Sequence, residues 1–271
     1  MALLFVSGRG IGEGVRMPAQ DDAREQQMVN LFNLVTPEDR KRADIDAHLE
    51  LPELDHPLDF ELKSTTSKSV STVRDLGPDH FVKWQDLHWL FAFYDKSATK
   101  LLYCSYASPA DMAEWIQGRQ DYIRPDLVLA ERIPGYITAD VVGEVLGERD
   151  SYTIDDAKSI MKMQWTAERY RAEADLPGGG YSTQRMVGVL QERCRYVIQR
   201  GSTLNNPHIP GPYLDRLVRI EKDHAATLRR LVREYLAAEQ EATSHGGSLQ
   251  VRVDPFVTSQ ANVAATDNAT E

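Results

Sequence analysis

"DFELKSTT", residues 59–66, is the stretch on which the reading of this chain turns. With Leu58 ahead of it, Phe60 and Leu62 project to one side of an extended chain, and Asp59, Glu61 and Lys63 to the other. Alternation of period two predicts a strand with one face in a core. Burying a carboxylate and an ammonium two residues apart on such a strand costs free energy unless they are paired or used. The stretch therefore poses a choice between a structural ion pair and half of an active site.

Just upstream, "ADIDAHLEL" (43–51) alternates in the same way. Ala43, Ile45, Ala47, Leu49 and Leu51 face one side, and Asp44, Asp46, His48 and Glu50 the other. "PELDHP" (52–57) supplies a turn, so the two strands are predicted to form a hairpin. A helix is predicted before it over 22–35, with Met28, Val29, Phe32 and Val35 on one stripe. After it, Pro78 and Asp79 open a short helix. "HWLFAFY" (88–94) and "KLLYCSY" (100–106) read as central strands, nearly continuous in apolar character. Ser108, Pro109 and Asp111 mark a helix start, and "DLVLA" (126–130) reads as a short strand.

From about residue 136 the pattern turns helical. One helix is predicted from Thr138 to Gly147, and one from Thr153, capped with Asp156, to about Ala174. Another runs from Ser182 to Gly201, and a long charged one follows the loop 202–212 to about Ala242. The expected fold is α/β: a central mixed β-sheet flanked by helices, with a C-terminal helical lobe. The division is an irregular N-terminus (1–20), a core (21–135), a lobe for recognition and dimerisation (136–242), and a tail (243–271) of disordered composition.

Composition narrows the function classes. The net charge of −10 argues against indiscriminate adhesion to nucleic acid, but the charge is uneven. Residues 1–62 carry 13 acidic and 6 basic side chains, whereas residues 180–235 carry 10 basic and 5 acidic ones. An acidic part able to hold metal beside a basic helical part suits a polyanionic ligand. Two cysteines, Cys104 and Cys194, imply no disulfide framework. No apolar run is long enough to span a bilayer, and "MALLFV" is too short for a signal-peptide core, so a cytoplasmic protein without membrane contact is expected. "GRGIGEG" lacks the preceding strand that a dinucleotide loop needs.

Placed side by side, the two hairpin strands present Asp46 on one polar face and Glu61 and Lys63 on the other. A carboxylate on each of two adjacent strands can hold one hard cation such as Mg2+, with the carbonyl of Leu62 as a further ligand. A lysine beside them can orient a water or stabilise developing charge on a phosphate. An acid followed fifteen positions later by Glu-x-Lys on the next strand resembles the catalytic core of the PD-(D/E)XK nucleases, to which many type II restriction endonucleases belong. The resemblance covers roughly residues 22–106. It implies that Asp46 is the first acid, Glu61 the second and Lys63 the lysine, with Glu25 in the region where some members add a carboxylate. No proline precedes Asp46, and Asp44 shares its face as a competing first acid.

The resemblance implies Mg2+-dependent hydrolysis of double-stranded DNA, in type II fashion by a homodimer. A structure-specific or repair nuclease of the same superfamily is the alternative, as is a non-catalytic DNA-binding protein whose hairpin charges form a salt bridge. Candidate DNA contacts are Lys68 and Arg74, which follow the lysine in a run of small hydroxyls. Base-edge readout needs amides, hydroxyls and arginines on a rigid element. Ser182, Thr183, Gln184 and Arg185 at a helix start offer these, as do Asn205, Asn206 and His208 in a proline-braced loop.

Overall fold

The computed structural model describes residues 20–38, 44–73, 76–202, 206–245 and 247. The N-terminal stretch and most of the tail lie outside these residues, as do Arg74 and Asn205. The chain runs α1 (Gln20–Phe32), β1 (Ala47–Leu49), β2 (Leu58–Thr65), β3 (Val70–Ser71), α2 (Pro78–Trp84), β4 (His88–Tyr94) and β5 (Leu101–Ala107). Then follow α3 (Pro109–Arg132), a 3-10 turn (Ile133–Tyr136), α4 (Ala139–Leu146), α5 (Ile154–Met161), α6 (Ala167–Ala172) and α7 (Thr183–Gly201). It closes with β6 (His208–Ile209), α8 (Gly211–Leu214), β7 (Val218–Ile220) and α9 (His224–Ser244).

The fold is α/β, built on a mixed five-stranded sheet in the order β1-β2-β4-β5-β7. β1 and β2 form the antiparallel hairpin expected from the alternation, with Ala47 opposite Phe60. β2 and β4 are parallel, so the connection through α2 crosses one face of the sheet. β5 pairs antiparallel with β4, and β7 with β5. Each face buries its own core. Phe60, Leu62, Leu90, Ala92 and Tyr94 pack against Met28 and Phe32 of α1 and Leu228 and Val232 of α9. Trp89, Phe91 and Phe93 pack against Phe81 and Trp84 of α2 and Trp115 and Ile116 of α3. Glu61 and Lys63, opposite Trp89 and Phe91 in register, lie on this second face.

Four sequence expectations are corrected. The strand expected over 43–51 is a ladder of only three residues, 47–49, extended by a single antiparallel bridge between His48 and Val35. "DLVLA" is not a strand but lies inside α3, where Ile123, Leu127 and Ala130 recur at helical spacing against the second core; a short apolar run does not reveal its period. The helix expected from Thr153 to Ala174 stops at Met161, because Lys162 and Met163 both adopt left-handed backbone, with φ of 51° and 60°. The stretch expected as one charged helix after the loop first forms β7, which completes the sheet, and turns into a long helix only at His224.

The helical segment between α4 and α7 has its own core, in which Tyr152, Ile160, Trp165, Tyr170, Tyr181 and Met186 meet. The chain then returns to the sheet. β6 pairs with β3, β7 joins the sheet edge, and α9 covers the first face. Arg229 of α9 donates hydrogen bonds to the carbonyls of Phe32 and Asn33, satisfying the open C-terminal end of α1. Among the described residues no helix is long and apolar enough to cross a membrane.

Candidate active site

β1 begins at Ala47, so Asp46 stands just before the chain enters the ladder, in line with Glu61 across the hairpin. Its carboxylate turns over the strand end, and Oδ2 accepts the Leu62 N–H at 2.8 Å. That bond stands in for the ladder bond that a three-residue β1 is too short to supply. The N–H and C=O of one residue in an antiparallel ladder point to the same edge, so the Leu62 carbonyl also faces the Asp46 side.

Lys63 donates to Glu61 Oε1 at 2.6 Å, and its Nζ lies 3.8 Å from Asp46 Oδ2. Glu61 is 3% exposed. Its second oxygen, Oε2, lies 3.2 Å from Nζ of Lys83 but without the alignment of a hydrogen bond. Lys83 in turn donates to the main-chain carbonyl of Asp44 at 3.0 Å. Asp44 thus belongs to the site through its backbone, and Lys83 is a member that the sequence reading missed.

α2 explains how Lys83 arrives. Pro78 sits at its first position, and Phe81 and Trp84 anchor it in the second core. His80 accepts the Gly77 N–H at 3.2 Å and so caps the helix. Three residues on, Lys83 shares the face of His80 and reaches over the middle of β2. Burial lowers the His80 pKa, with the Lys83 charge adding to it.

Burial alone would raise the Glu61 pKa, but the ammonium groups of Lys63 and Lys83 outweigh it and hold the carboxyl below its ordinary range. Burial works in the opposite sense on Lys63. The charges of Glu61 and Asp46, with Glu25 on α1 contributing, overcome it and hold the ammonium above its ordinary value. Glu61 and Lys63 are thus both ionised at neutral pH. Lys63 offers a cation and hydrogen-bond donors at the strand end, not a free amine.

The donor set can be tested for a divalent cation. Mg2+ takes hard oxygen ligands, typically one or two carboxylates with waters completing the shell. Asp46, Glu61 and the Leu62 carbonyl are such oxygens. The buried Glu61 Oε2, without an aligned hydrogen bond, is the atom with coordinating capacity left. Among the described residues no three His, Cys, Asp or Glu side chains group as a metal site. Asp46, Glu61 and the Leu62 carbonyl would give an ion held here two carboxylates and a carbonyl, hard oxygens of the kind Mg2+ takes.

The DNA-contact candidates divide into two groups. In the loop after β2, Thr65 and Ser67 both donate to the Ser69 carbonyl at 2.8 Å, so these hydroxyls fold the loop. Lys68 remains exposed at its tip. The β3–β6 pairing brings this loop beside Asn206 and His208, with Ser71 opposite His208 and Thr72 bound to the Pro207 carbonyl. A Cβ on Gly211 would stand 3.0 Å from the Lys68 carbonyl, so the two loops touch where only glycine fits without a shift. Ser182, Thr183, Gln184 and Arg185 lie at the far end of α7, whose 19 residues span about 28 Å. There Ser182 caps the helix by accepting the Arg185 N–H and binds Asp175, while Arg185 pairs with Glu173.

No family model matches this chain, and no curated protein matches its sequence.

Proposed function

We propose that this protein is a Mg2+-dependent endonuclease with a PD-(D/E)XK-like core, hydrolysing phosphodiester bonds of double-stranded DNA as a type II restriction enzyme does. The observation that carries the reading is the convergence, along the middle of β2 where β1 begins, of Asp46, Glu61 and Lys63, with Lys63 Nζ 2.6 Å from one carboxylate and 3.8 Å from the other. The order of elements supports it too: a helix, an antiparallel hairpin bearing the acids, then a helical crossover to a parallel strand.

In this reading Asp46, Glu61 and the Leu62 carbonyl hold the ion. When bound, the ion lowers the pKa of a water and draws charge from a phosphoryl oxygen. Lys63 donates hydrogen bonds to the attacking water and to the charge developing at phosphorus. Lys68, Asn206 and His208 form a group beside the strand end, within one surface that a duplex backbone can follow. Cleavage of both strands of a palindrome calls for a homodimer.

A plasmid digest with and without Mg2+ tests the reading. Discrete bands that require Mg2+ and vanish in Lys63→Ala, with duplex binding retained, are the expected result. Structure-dependent nicking would move the protein to the repair-type alternative. A Lys63→Ala variant cutting at the wild-type rate would remove the reaction from this site.

A further inference from the structure

Two carboxylates at the site, Asp46 and Glu61, face two ammonium groups, Lys63 and Lys83. Each carboxylate thus has a lysine ammonium beside it, and Glu25 on α1 adds a further negative charge acting on Lys63. Glu61 Oε1 is hydrogen-bonded by Lys63, whereas Oε2 faces the unaligned ammonium of Lys83, so a divalent ion that binds Oε2 meets the Lys83 charge first. The two lysines are not equivalent. Lys63 stands on β2 itself, between both carboxylates, at 2.6 and 3.8 Å. Lys83 comes from the seven-residue α2 on a flexible stem, lies 3.2 Å from one Glu61 oxygen without good alignment, and donates to the main-chain carbonyl of Asp44. Its side chain is also the more exposed, at 24% against 19%.

We infer that Lys83 is the exchangeable counter-ion of this site: it neutralises Glu61 in the metal-free protein, and a divalent cation displaces it from Oε2 on binding. The inference deepens the nuclease reading by naming what the metal must compete with. It explains how a chain can bury Glu61 and remain stable before metal arrives, since a carboxylate left bare there would be costly. It also sets an electrostatic condition. A divalent ion added beside both lysines leaves the cluster net positive, which a polyanion relieves. Metal and phosphodiester should therefore each tighten the binding of the other.

Calorimetric titration with Ca2+, without DNA, tests the exchange on the whole chain. Removing a like charge beside the ion should tighten Ca2+ binding about tenfold or more in Lys83→Gln, while Lys83→Arg, which keeps the charge, should show no such gain. A Lys83→Gln protein that binds Ca2+ no more tightly than wild type, or in which neither protein binds it, overturns the inference. A second measurement needs no variant. On saturation with Ca2+, acetylation of Lys83 in the wild-type protein, followed by mass spectrometry, should speed up relative to Lys63, and an unchanged ratio also overturns the inference. These readouts are independent of cleavage. A protein that passes them yet cuts no DNA loses the nuclease reading and keeps the exchange.

Discussion

Glu61 lies between two ammonium groups, and a double mutant should expose what that is worth. Lys63→Met or Lys83→Met alone leaves Glu61 with one cation, so each should cost about the value of a hydrogen bond to a charged group, roughly 1.5–3 kcal/mol. Together they leave a carboxylate that is 3% exposed with neither ammonium. Leaving a buried charge uncompensated is strongly destabilising, by about 3–5 kcal/mol in all, so the double mutant should lose at least ~1 kcal/mol more stability than the sum of the two singles. The pH dependence supplies an independent sign. With the ammonium groups gone, burial is the dominant influence on Glu61, and its folded pKa should rise above the unfolded value. A carboxyl whose folded pKa is raised destabilises above that pKa and is relieved as pH falls through it, by up to about 1.4 kcal/mol per pH unit. In wild type the folded pKa is depressed, so the Glu61 contribution is present above the unfolded pKa and is lost only as pH falls below it. Urea unfolding of the four proteins at pH 7 and pH 5 reads both effects. The gap between wild type and double mutant should narrow on acidification. Additive costs with a gap independent of pH would mean that Glu61 is solvated, and would refute the account of the cluster.

Three further outcomes follow from the geometry. Asp46→Asn should abolish Mg2+-dependent cleavage while Asp44→Asn keeps appreciable activity, because the Asp46 side chain faces Lys63 whereas Asp44 serves Lys83 through its carbonyl; digestion assays read this, and the reverse result would make Asp44 the first acid. Burial lowers the His88 pKa from 6.5 to about 3, so the unfolded chain takes up a proton there that the native state refuses, and stability should fall by about 2 kcal/mol between pH 6.5 and pH 5. His88→Phe should flatten the urea-derived slope by that amount, and an unchanged slope would show His88 to be accessible to protons. The triple variant Glu61→Leu, Lys63→Met, Lys83→Met should recover the stability lost in the double mutant, since apolar replacements of buried ion clusters are commonly neutral or better. It should also lose all cleavage, and a melting temperature no higher than that of the double mutant would show the cost to lie in packing.

The parts of this fold that were legible in the sequence are those in which one short-range rule acts alone. β4 matched its expected bounds because every residue from His88 to Tyr94 is buried, so its apolar run had no competing period. The Ser108 and Thr153 caps were readable because an acid three residues on closes each box, and both boxes form. "DLVLA" failed because five apolar-rich residues fit either period and only α3, already running from Pro109, decides between them. β7 failed for a different reason. Val218, Arg219 and Ile220 are too few for their alternation to be read, and their conformation is fixed by pairing with Tyr106, Ser105 and Cys104, more than a hundred residues earlier.

The candidate site divides along the same line. Asp46, Glu61 and Lys63 were readable because all three lie on one hairpin, where spacing along the chain fixes spacing across it. Lys83 was not, because its meeting with Glu61 depends on β2 and β4 being parallel, which sends α2 back over the face on which Glu61 stands. Once that crossover is known, the choice posed by "DFELKSTT" changes. A salt bridge kept for stability needs no particular place on the sheet. Here two lysines from different elements converge on one buried carboxylate at the point where β1 begins and a main-chain carbonyl faces the same edge. Ionic clusters of this kind contribute little net stability compared with apolar packing. The tryptophan-rich core beside it, with Trp84, Trp89 and Trp115 in mutual contact, is able to hold that face together without it. On the proposed reading, the arrangement serves a cation-dependent task rather than the folding of the hairpin.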